Sequence, residues 1–209
     1  PDPESRILVT GGAGFIGSNL VAELNRRGLE RIVVADFLET GEKWRNLSPL
    51  RFSEYLEADD LFPRLQSGRL GAFDFVFHMG ACSSTTETNG PYLIRNNYEF
   101  TRDLAEWSLS NKARFVYASS AATYGDGSAG MDDRSDLDYL STLRPLNLYG
   151  YSKQLFDQYA SRNGLLDKIA GLKFFNVFGP NEQHKGSMRS LVNKAYEQVR
   201  ATGRVKLFK

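Results

Sequence analysis

A glycine-rich turn near the start of the chain limits the possible folds more than any other feature. The apolar run Ile7–Thr10 leads directly into the turn 11–17, and a helical pattern of apolar residues follows. Gly11 permits a tight turn, Gly14 lets the backbone approach a ligand, and Gly17 allows the helix to pack closely on the strand. Because amides at the start of such a helix bind phosphate, the segment predicts a site for the pyrophosphate of a dinucleotide. The glycines follow the spacing Gly-x-x-Gly-x-x-Gly rather than the commoner Gly-x-Gly-x-x-Gly, and a plain strand-to-helix turn is the alternative.

The composition fits a globular protein and argues against several classes of partner. The chain has 209 residues, of which 41% are hydrophobic and 24% charged, enough for one substantial core. The formal net charge is +1 with no long block of like charges, so we expect no nucleic-acid partner. No apolar run reaches the roughly 20 residues of a membrane span, and residues 1–5 do not resemble a signal peptide. We therefore expect no membrane partner and a cytoplasmic location. One cysteine and two histidines are too few for a disulfide or a histidine-rich metal site, so we expect no metal.

Short apolar segments alternate with longer amphipathic ones, which is typical of a parallel sheet covered by helices on both faces. We predict strands at Arg6–Thr10, Arg31–Asp36, Glu54–Glu57, Phe73–Met79, Arg114–Ser119 and Ile169–Phe174. We predict helices at Phe15–Arg27, Asp59–Gln66, Pro91–Ser110, Leu146–Arg162 and Met188–Ala201. The predicted fold class is α/β, a doubly wound parallel sheet of the Rossmann type.

The pattern also predicts how the chain is divided. Residues 1–172 form the dinucleotide-binding domain, and residues 173–209 begin a smaller, truncated substrate-binding part. The last residues, Lys206–Lys209, resemble the opening of another strand. The segment Gly125–Asp138 has no periodicity, and we predict a surface loop beside the site there.

An acidic residue at the end of the second strand bears on the choice of dinucleotide. Asp36 follows Gly17 by nineteen residues, where a carboxylate can accept hydrogen bonds from the ribose hydroxyls of NAD. Lys43 or Arg45 can neutralise the 2′-phosphate of NADP, although a solvated loop lysine is an equally good interpretation of Lys43. Both dinucleotides remain open at this point.

A serine, a tyrosine and a lysine form the candidate catalytic group. Ser120 lies at the carboxyl end of a predicted strand, the edge of a parallel sheet where ligands bind. Tyr149 and Lys153 are four residues apart at the start of a predicted helix, so they share one face. An ammonium group and the positive nicotinamide stabilise a phenolate, which makes tyrosine a usable base near neutral pH. Such a pair also occurs by chance, and its combination with the glycine loop makes the catalytic interpretation the stronger one.

Together these residues resemble the extended short-chain dehydrogenases/reductases that act on nucleotide sugars, over nearly the whole chain. Residues 80–87 (Gly-Ala-Cys-Ser-Ser-Thr-Thr-Glu), 117–125, 175–180 and 184–188 (His-Lys-Gly-Ser-Met) resemble the branch of that family that acts on ADP-heptose. The resemblance implies an isomerase that inverts carbon 6 of ADP-D-glycero-D-manno-heptose by oxidation and re-reduction, in synthesis of the lipopolysaccharide inner core. It implies NADP as cofactor, with NAD possible, and association into a homo-oligomer.

The same resemblance implies roles for individual residues. Tyr149 serves as the base for one epimer and Lys185 for the other, Lys153 orients the nicotinamide ribose, and Ser120 holds the reacting oxygen. The implied cofactor contacts are Gly11, Gly14, Phe15, Ile16, Gly17, Asp36, Phe37, Lys43, Met79, Gly80, Ala81, Cys82, Ser83, Asn96, Lys153, Val177 and Lys185. The implied substrate contacts are Ser120, Asn176, Ser187 and Lys194. Without the resemblance, Lys185 is equally compatible with a solvated loop lysine, and Asn96 and Asn97 with the outward face of an amphipathic helix.

Three departures from the family pattern weaken the substrate assignment: Phe37 replaces a polar residue, Lys194 a histidine and Lys209 an acidic residue. Two alternatives stay open. One is an epimerase for another nucleotide sugar, such as a 4-epimerase, and the other is a non-catalytic protein that senses a dinucleotide. A high, unperturbed pKa of Tyr149 would favour the sensor. A dehydratase is disfavoured, because Ala121 and Ala122 stand where dehydration needs an additional acid and base.

Overall fold

The computed structural model describes residues 2–206, which form one parallel sheet flanked by helices. Within these residues the strands are β1 Ile7–Thr10, β2 Ile32–Asp36, β3 Glu54–Glu57, β4 Phe75–His78, β5 Arg114–Ser120 and β6 Ile169–Phe174. The α-helices are α1 Phe15–Arg26, α2 Ala58–Gln66, α3 Gly90–Leu93, α4 Phe100–Ser110, α5 Leu137–Thr142, α6 Leu148–Arg162 and α7 Leu191–Thr202. A π-helical segment, Ile94–Glu99, joins α3 to α4, and 3₁₀-helices cover Lys43–Asn46, Ala121–Tyr124 and Gln183–Met188.

The sheet has the strand order β3-β2-β1-β4-β5-β6, and every neighbouring pair is parallel. This order confirms the predicted Rossmann fold. The chain builds outward from β1 in one direction and then returns to build outward from β4 in the other, so the loops after β1 and β4 diverge. The crevice at this switch point is where open parallel sheets bind ligands.

The apolar runs of the central strands are continuous because both faces of the sheet are covered. Leu8 and Val33 belong to one core cluster, whereas Val9 and Val34 belong to the cluster on the opposite face. All four side chains are fully buried. Strands buried on both faces lack the alternation of polar and apolar residues that a half-exposed strand shows.

The largest difference from the predicted elements lies between residues 125 and 145. The predicted loop Gly125–Asp138 is wrong at its end, where α5 begins at Leu137. Tyr139 and Leu140 of this helix are buried against Tyr124. A helix of six residues is too short to show a clear helical period in the sequence.

Capping residues set the starts of two helices later than predicted. The side chain of Asn147 accepts a hydrogen bond from the Gly150 amide at 2.8 Å, so α6 begins at Leu148. Ser190 caps α7 in the same way, accepting from the Asn193 amide at 3.1 Å. The strand predicted at Lys206–Lys209 lies outside the described residues from position 207 onward. None of the helices within residues 2–206 is long and apolar enough to span a bilayer.

A buried histidine joins β1, β4 and α4 beneath the switch point. Nδ1 of His78 lies 2.6 Å from the Thr10 hydroxyl and Nε2 lies 2.8 Å from the Thr101 hydroxyl. Thr101 donates its own proton to the carbonyl of Asn97, so Nε2 of His78 must donate to Thr101. Burial lowers the pKa of His78 to about 3, with a smaller contribution from Lys153, so the imidazole is neutral and Nδ1 accepts from the Thr10 hydroxyl.

This arrangement predicts how stability depends on pH. The pKa of His78 falls from 6.5 to about 3 on folding. Between these values the unfolded chain binds a proton that the folded chain excludes, so the free energy of unfolding falls as pH decreases, by about 1 kcal/mol per pH unit. In denaturant titrations between pH 6.5 and 5, His78→Asn should be less stable than the unsubstituted protein but should show a flatter pH dependence. His184→Gln, which removes the other histidine, should keep most of the slope. Equal slopes for the His78 variant and the unsubstituted protein would contradict the assignment.

Candidate active site

A cleft of about 480 Å³ lies at the carboxyl edge of the sheet. Fifteen of the predicted site residues line it: Gly11, Gly14, Phe15, Ile16, Gly17, Asp36, Lys43, Met79, Gly80, Ala81, Cys82, Ser83, Tyr149, Lys153 and Lys185. They come from the loops after β1, β2 and β4, the first turns of α6, and the 3₁₀-helix Gln183–Met188. The structure thus brings together residues that are up to 174 positions apart, from Gly11 to Lys185.

A second, smaller cavity of about 180 Å³ continues the cleft past the end of β2. Phe37 and Asn96, two further predicted cofactor contacts, line this cavity. The two cavities share Asp36 and Lys43. An elongated ligand can therefore extend from the Tyr149 end of the cleft to the end of β2.

Close backbone packing explains why the loops after β1 and β4 need glycine. A Cβ atom on Gly11 would lie 2.5 Å from the Gly80 nitrogen, and Gly11 has a φ of +68°. A Cβ atom on Gly17 would overlap the carbonyl oxygen of Gly11. The loops can touch, and α1 can start directly behind them, only without side chains at these positions.

The carboxylate of Asp36 forms hydrogen bonds with other groups of the protein, whereas the sequence predicted that it binds the ribose of a dinucleotide. One carboxylate oxygen accepts from the amides of Ala13 at 2.8 Å and Gly14 at 3.2 Å. The other accepts from the Phe37 amide at 2.7 Å and the Lys43 ammonium at 2.5 Å. A carboxylate offers about four acceptor sites, so this one is saturated. Its structural role is to hold the glycine loop against the end of β2.

Tyr149 is half-buried in the cleft, and its surroundings do not lower its pKa. Burial raises the pKa of Tyr149, the nearby Ser120 hydroxyl opposes that shift, and Cys82 adds to it. The expected lowering of this pKa by an ammonium group together with a bound nicotinamide stays a prediction, and Lys153 is not among the groups that shift the pKa in the free protein. Ser120 lines neither cavity, and its hydroxyl accepts from the Ala122 amide at 3.1 Å.

Lys153 is almost completely buried behind Tyr149, with only 3% of its surface exposed. Burial lowers the pKa of its ammonium to about 8, and the negative charge of Asp157 one turn further along α6 partly offsets this. Asp157 accepts hydrogen bonds from Tyr117 at 2.8 Å, Ser119 at 2.7 Å and Lys173 at 2.7 Å. This carboxylate ties α6 to the ends of β5 and β6.

An outward position on an amphipathic helix was one interpretation of Asn97, and the structure shows the opposite. Its side chain is completely buried in the π-helical segment. The amide accepts from the Cys82 nitrogen at 2.9 Å and donates to the Cys82 carbonyl at 3.0 Å and the Ser152 hydroxyl at 3.0 Å. It therefore connects the loop after β4 to α6, and the run of adjacent asparagines did not indicate which one points inward.

The segment that carries Lys185 is fastened over the start of α1. Asn19 donates to the Pro180 carbonyl at 2.9 Å, and Asn181 donates to the Ser18 hydroxyl at 3.0 Å. The ammonium of Lys185 lies 5.5 Å from the centre of the Phe15 ring, within range of a cation–π interaction. His184, which lines the same cleft, is hydrogen-bonded to Asn46 at 3.2 Å.

The buried carboxylate of Glu182 stabilises the turn formed by the segment that carries Lys185. Glu182 is only 1% exposed and accepts from the Gly179 amide at 2.9 Å and from both the amide and the hydroxyl of Ser190. Burial acts to raise the pKa of Glu182, but these hydrogen bonds outweigh it and the pKa is lowered. An ionised carboxylate thus stabilises the loop from within.

Besides Ser120, four predicted contacts lie outside both cavities: Val177, Asn176, Ser187 and Lys194. Asn176 and Ser187 are exposed, and the Lys194 ammonium donates to the Ser187 carbonyl at 3.3 Å. Residues that line the main cleft without being predicted are Glu39, Ser84, Ala118, Ser119, Phe174 and Met188. Ser84, Ser119 and Met188 each adjoin a predicted position, which is the signal that would have found them.

Comparison with known proteins identifies the family. The chain belongs to the NAD dependent epimerase/dehydratase family, whose model matches residues 7–209. An ADP-L-glycero-D-manno-heptose-6-epimerase of Nitratidesulfovibrio vulgaris Hildenborough is 53% identical over 203 residues, which are 97% of this chain and 62% of that protein. The Pseudomonas aeruginosa protein of the same name is 47% identical over 97% of this chain and 60% of its own length. The crystal structure of the Helicobacter pylori ADP-L-glycero-D-manno-heptose-6-epimerase matches with a TM-score of 0.84 at 33% identity, covering 99% of this chain and 66% of that one. The chain therefore spans about three-fifths of the length of the curated relatives.

The packing at Gly17 predicts a large local effect of a single methyl group. Gly17→Ala places a Cβ atom against the Gly11 carbonyl, so the glycine loop must shift, at a cost of about 1–3 kcal/mol in the free energy of unfolding. Gly90→Ala is the matched control, because a Cβ atom there meets nothing within 4 Å. It should change stability by less than about 0.5 kcal/mol. Chemical denaturation of the two variants measures the difference, and equal stability would show that the loop tolerates a side chain.

Proposed function

We propose that this chain forms the dinucleotide-binding part of an epimerase that inverts carbon 6 of ADP-D-glycero-D-manno-heptose, for the lipopolysaccharide inner core. The observation that carries the proposal is the convergence of Tyr149, Lys153 and Lys185 on the cleft that the glycine loop also lines. The names of relatives at 47% and 53% identity support the substrate assignment.

The residues of the cleft fit a nicotinamide dinucleotide. The loops after β1 and β4 meet at Gly11 and Gly80, which both line the cleft, and the start of α1 provides free amides for a pyrophosphate. The combined cavities lead from the end of β2 to Tyr149, which suits a long molecule. When bound, the nicotinamide supplies a reversible hydride acceptor, so that an alcohol can be oxidised and reduced again.

Inversion needs a proton acceptor and donor for each orientation of the alcohol. Tyr149 and Lys185 come from different elements, and both line the cleft, so each can serve one face of the substrate carbon. The raised pKa of Tyr149 keeps the phenol protonated in the free protein, ready to donate. Accepting a proton requires nearby positive charge, which a bound nicotinamide would supply together with Lys153, four residues along α6.

Two alternatives to the epimerase, a dehydratase and a dinucleotide sensor, would need different residues at the site. Dehydration needs a further acid and base at the end of β5, and the 3₁₀-helix there begins with Ala121 and Ala122. A sensor needs no second base, and the burial of the charged Lys153 behind Tyr149 supports a catalytic role. The raised pKa of Tyr149 does not by itself favour the sensor, because burial raises it and it is therefore not an unperturbed value.

The first test compares Tyr149→Phe with Tyr151→Phe. Tyr151 lies in the same turn of α6 but is 45% exposed and outside the cleft, so it is a matched control. We expect the first variant of the full-length protein to lose about 10²–10⁴-fold in epimerisation rate. The second should keep nearly all of it. The measurement is formation of the C6 epimer from ADP-D-glycero-D-manno-heptose, followed by NMR, and full activity of Tyr149→Phe would remove this residue from the mechanism.

The second test compares Lys185→Met with Lys168→Met. Lys168 is exposed, directly precedes β6 at the amino edge of the sheet, and lies outside the cleft, so it serves as the control. With two bases, loss of Lys185 should stop inversion while the first oxidation of one epimer persists, visible as transient reduced nicotinamide absorbance in a single turnover. Unchanged inversion in Lys185→Met would contradict the two-base scheme.

Two results would redirect the proposal. Inversion of a different nucleotide sugar, with no reaction of the heptose, would favour an epimerase such as a 4-epimerase. Dinucleotide binding without turnover of any sugar nucleotide would favour the sensor. The domain boundary at residue 172, which falls inside β6, the cytoplasmic location and the homo-oligomer stay predictions.

A further inference from the structure

The charges at the β2 end of the cleft are unevenly distributed. Asp36 and Glu39 bring two carboxylates to the wall shared by both cavities, and Lys43 brings one ammonium. The other lysines that line the described cavities, Lys153 and Lys185, lie at the Tyr149 end and over Phe15. Arg45 lines neither cavity and pairs with Glu42 at 2.9 Å.

The one ammonium at this end is already engaged. Lys43 donates to Asp36 at 2.5 Å and to the Phe37 carbonyl at 2.9 Å. The Asp36 side chain is only 6% exposed, so moving Lys43 to another anion would leave a buried carboxylate without its cation. Breaking such a pair is strongly unfavourable.

Glu39 adds an uncompensated negative charge at the same place. Within the described residues, no cation forms a salt bridge with its carboxylate. Glu39 and Tyr92 both line the smaller cavity. Burial is the main cause of the raised pKa of Tyr92, followed by Cys82 and then by the negative charge of Glu39. The backbone of Glu39 has a φ of +54°, a conformation uncommon for residues other than glycine, in the turn between β2 and the first 3₁₀-helix.

We propose that Glu39, together with the closed Asp36–Lys43 pair, makes this site select NAD over NADP. This inference rests on the proposed dinucleotide site. The two dinucleotides differ by one phosphate on the adenosine ribose, which carries close to two negative charges at neutral pH. At the end of β2 that phosphate meets Glu39 and a lysine that Asp36 already neutralises, whereas the hydroxyl of NAD meets no such repulsion. Phe37 and Ala58, also on the wall of this cavity, offer the phosphate no side-chain donor.

The test measures the dissociation constants of NAD⁺ and NADP⁺ by isothermal titration calorimetry with the full-length protein freed of bound nucleotide. NAD⁺ should bind at least about tenfold more tightly, and Glu39→Lys should strengthen NADP⁺ binding by about tenfold, since one close charge reversal is worth roughly that factor. The same variant should change NAD⁺ binding by less than about threefold. Added salt should reduce the preference, because screening weakens repulsion between partly exposed charges.

Glu42→Lys is the control for a general change in net charge. It reverses the same charge three residues away, outside both cavities, and should leave both dissociation constants unchanged. Equal or tighter binding of NADP⁺ by the unsubstituted protein, or no effect of Glu39→Lys on NADP⁺, would overturn the inference and leave the dinucleotide site standing. Failure of the unsubstituted protein to bind either dinucleotide would overturn the proposed function itself.

Discussion

The close approach of two loops at the switch point is the constraint on which the rest of the site depends. Gly11 and Gly80 touch backbone to backbone, so the loops after β1 and β4 form one continuous floor. A Cβ atom on Gly11 would overlap the Gly80 backbone, so a side chain there would force the two loops apart. Open parallel sheets bind ligands at this switch point, and the cleft lies here. The charged residues around it therefore act on a surface that the backbone has already shaped.

Buried polar groups then fix the elements that border this floor. His78 joins β1 to α4, Asn97 joins the loop after β4 to α6, and Asp157 joins α6 to β5 and β6. Glu182 does the same for the segment that carries Lys185. Every one of these side chains is at most 4% exposed. A buried polar group is stable only when its partners are in place, so each network specifies one arrangement of its elements more sharply than apolar packing does.

The sequence was sufficient for those features that rest on local patterns. The six strands are short apolar runs buried on both faces, and the structure places each within two residues of its predicted bounds. The glycine loop and the Tyr149/Lys153 pair are also local, and they line the cleft as expected. What could not be predicted depends on distant contacts. The six-residue helix α5 packs against Tyr124, and it is too short for its sequence to show a helical period. The Asn97 side chain points inward because it forms hydrogen bonds with Cys82 and Ser152.

Asp36 shows why a correct pattern does not by itself define a residue's role. An acidic residue at the end of the second strand is the usual partner of the ribose, and the position was identified for that reason. Here the carboxylate gives all its acceptor sites to Ala13, Gly14, Phe37 and Lys43, so it secures the glycine loop and immobilises the lysine at once. In the proposed dinucleotide site, the charge that remains available at this end of the cleft is that of Glu39. A short pattern identifies which residue types meet at the site, whereas their hydrogen-bond partners decide which of them remain available to a ligand.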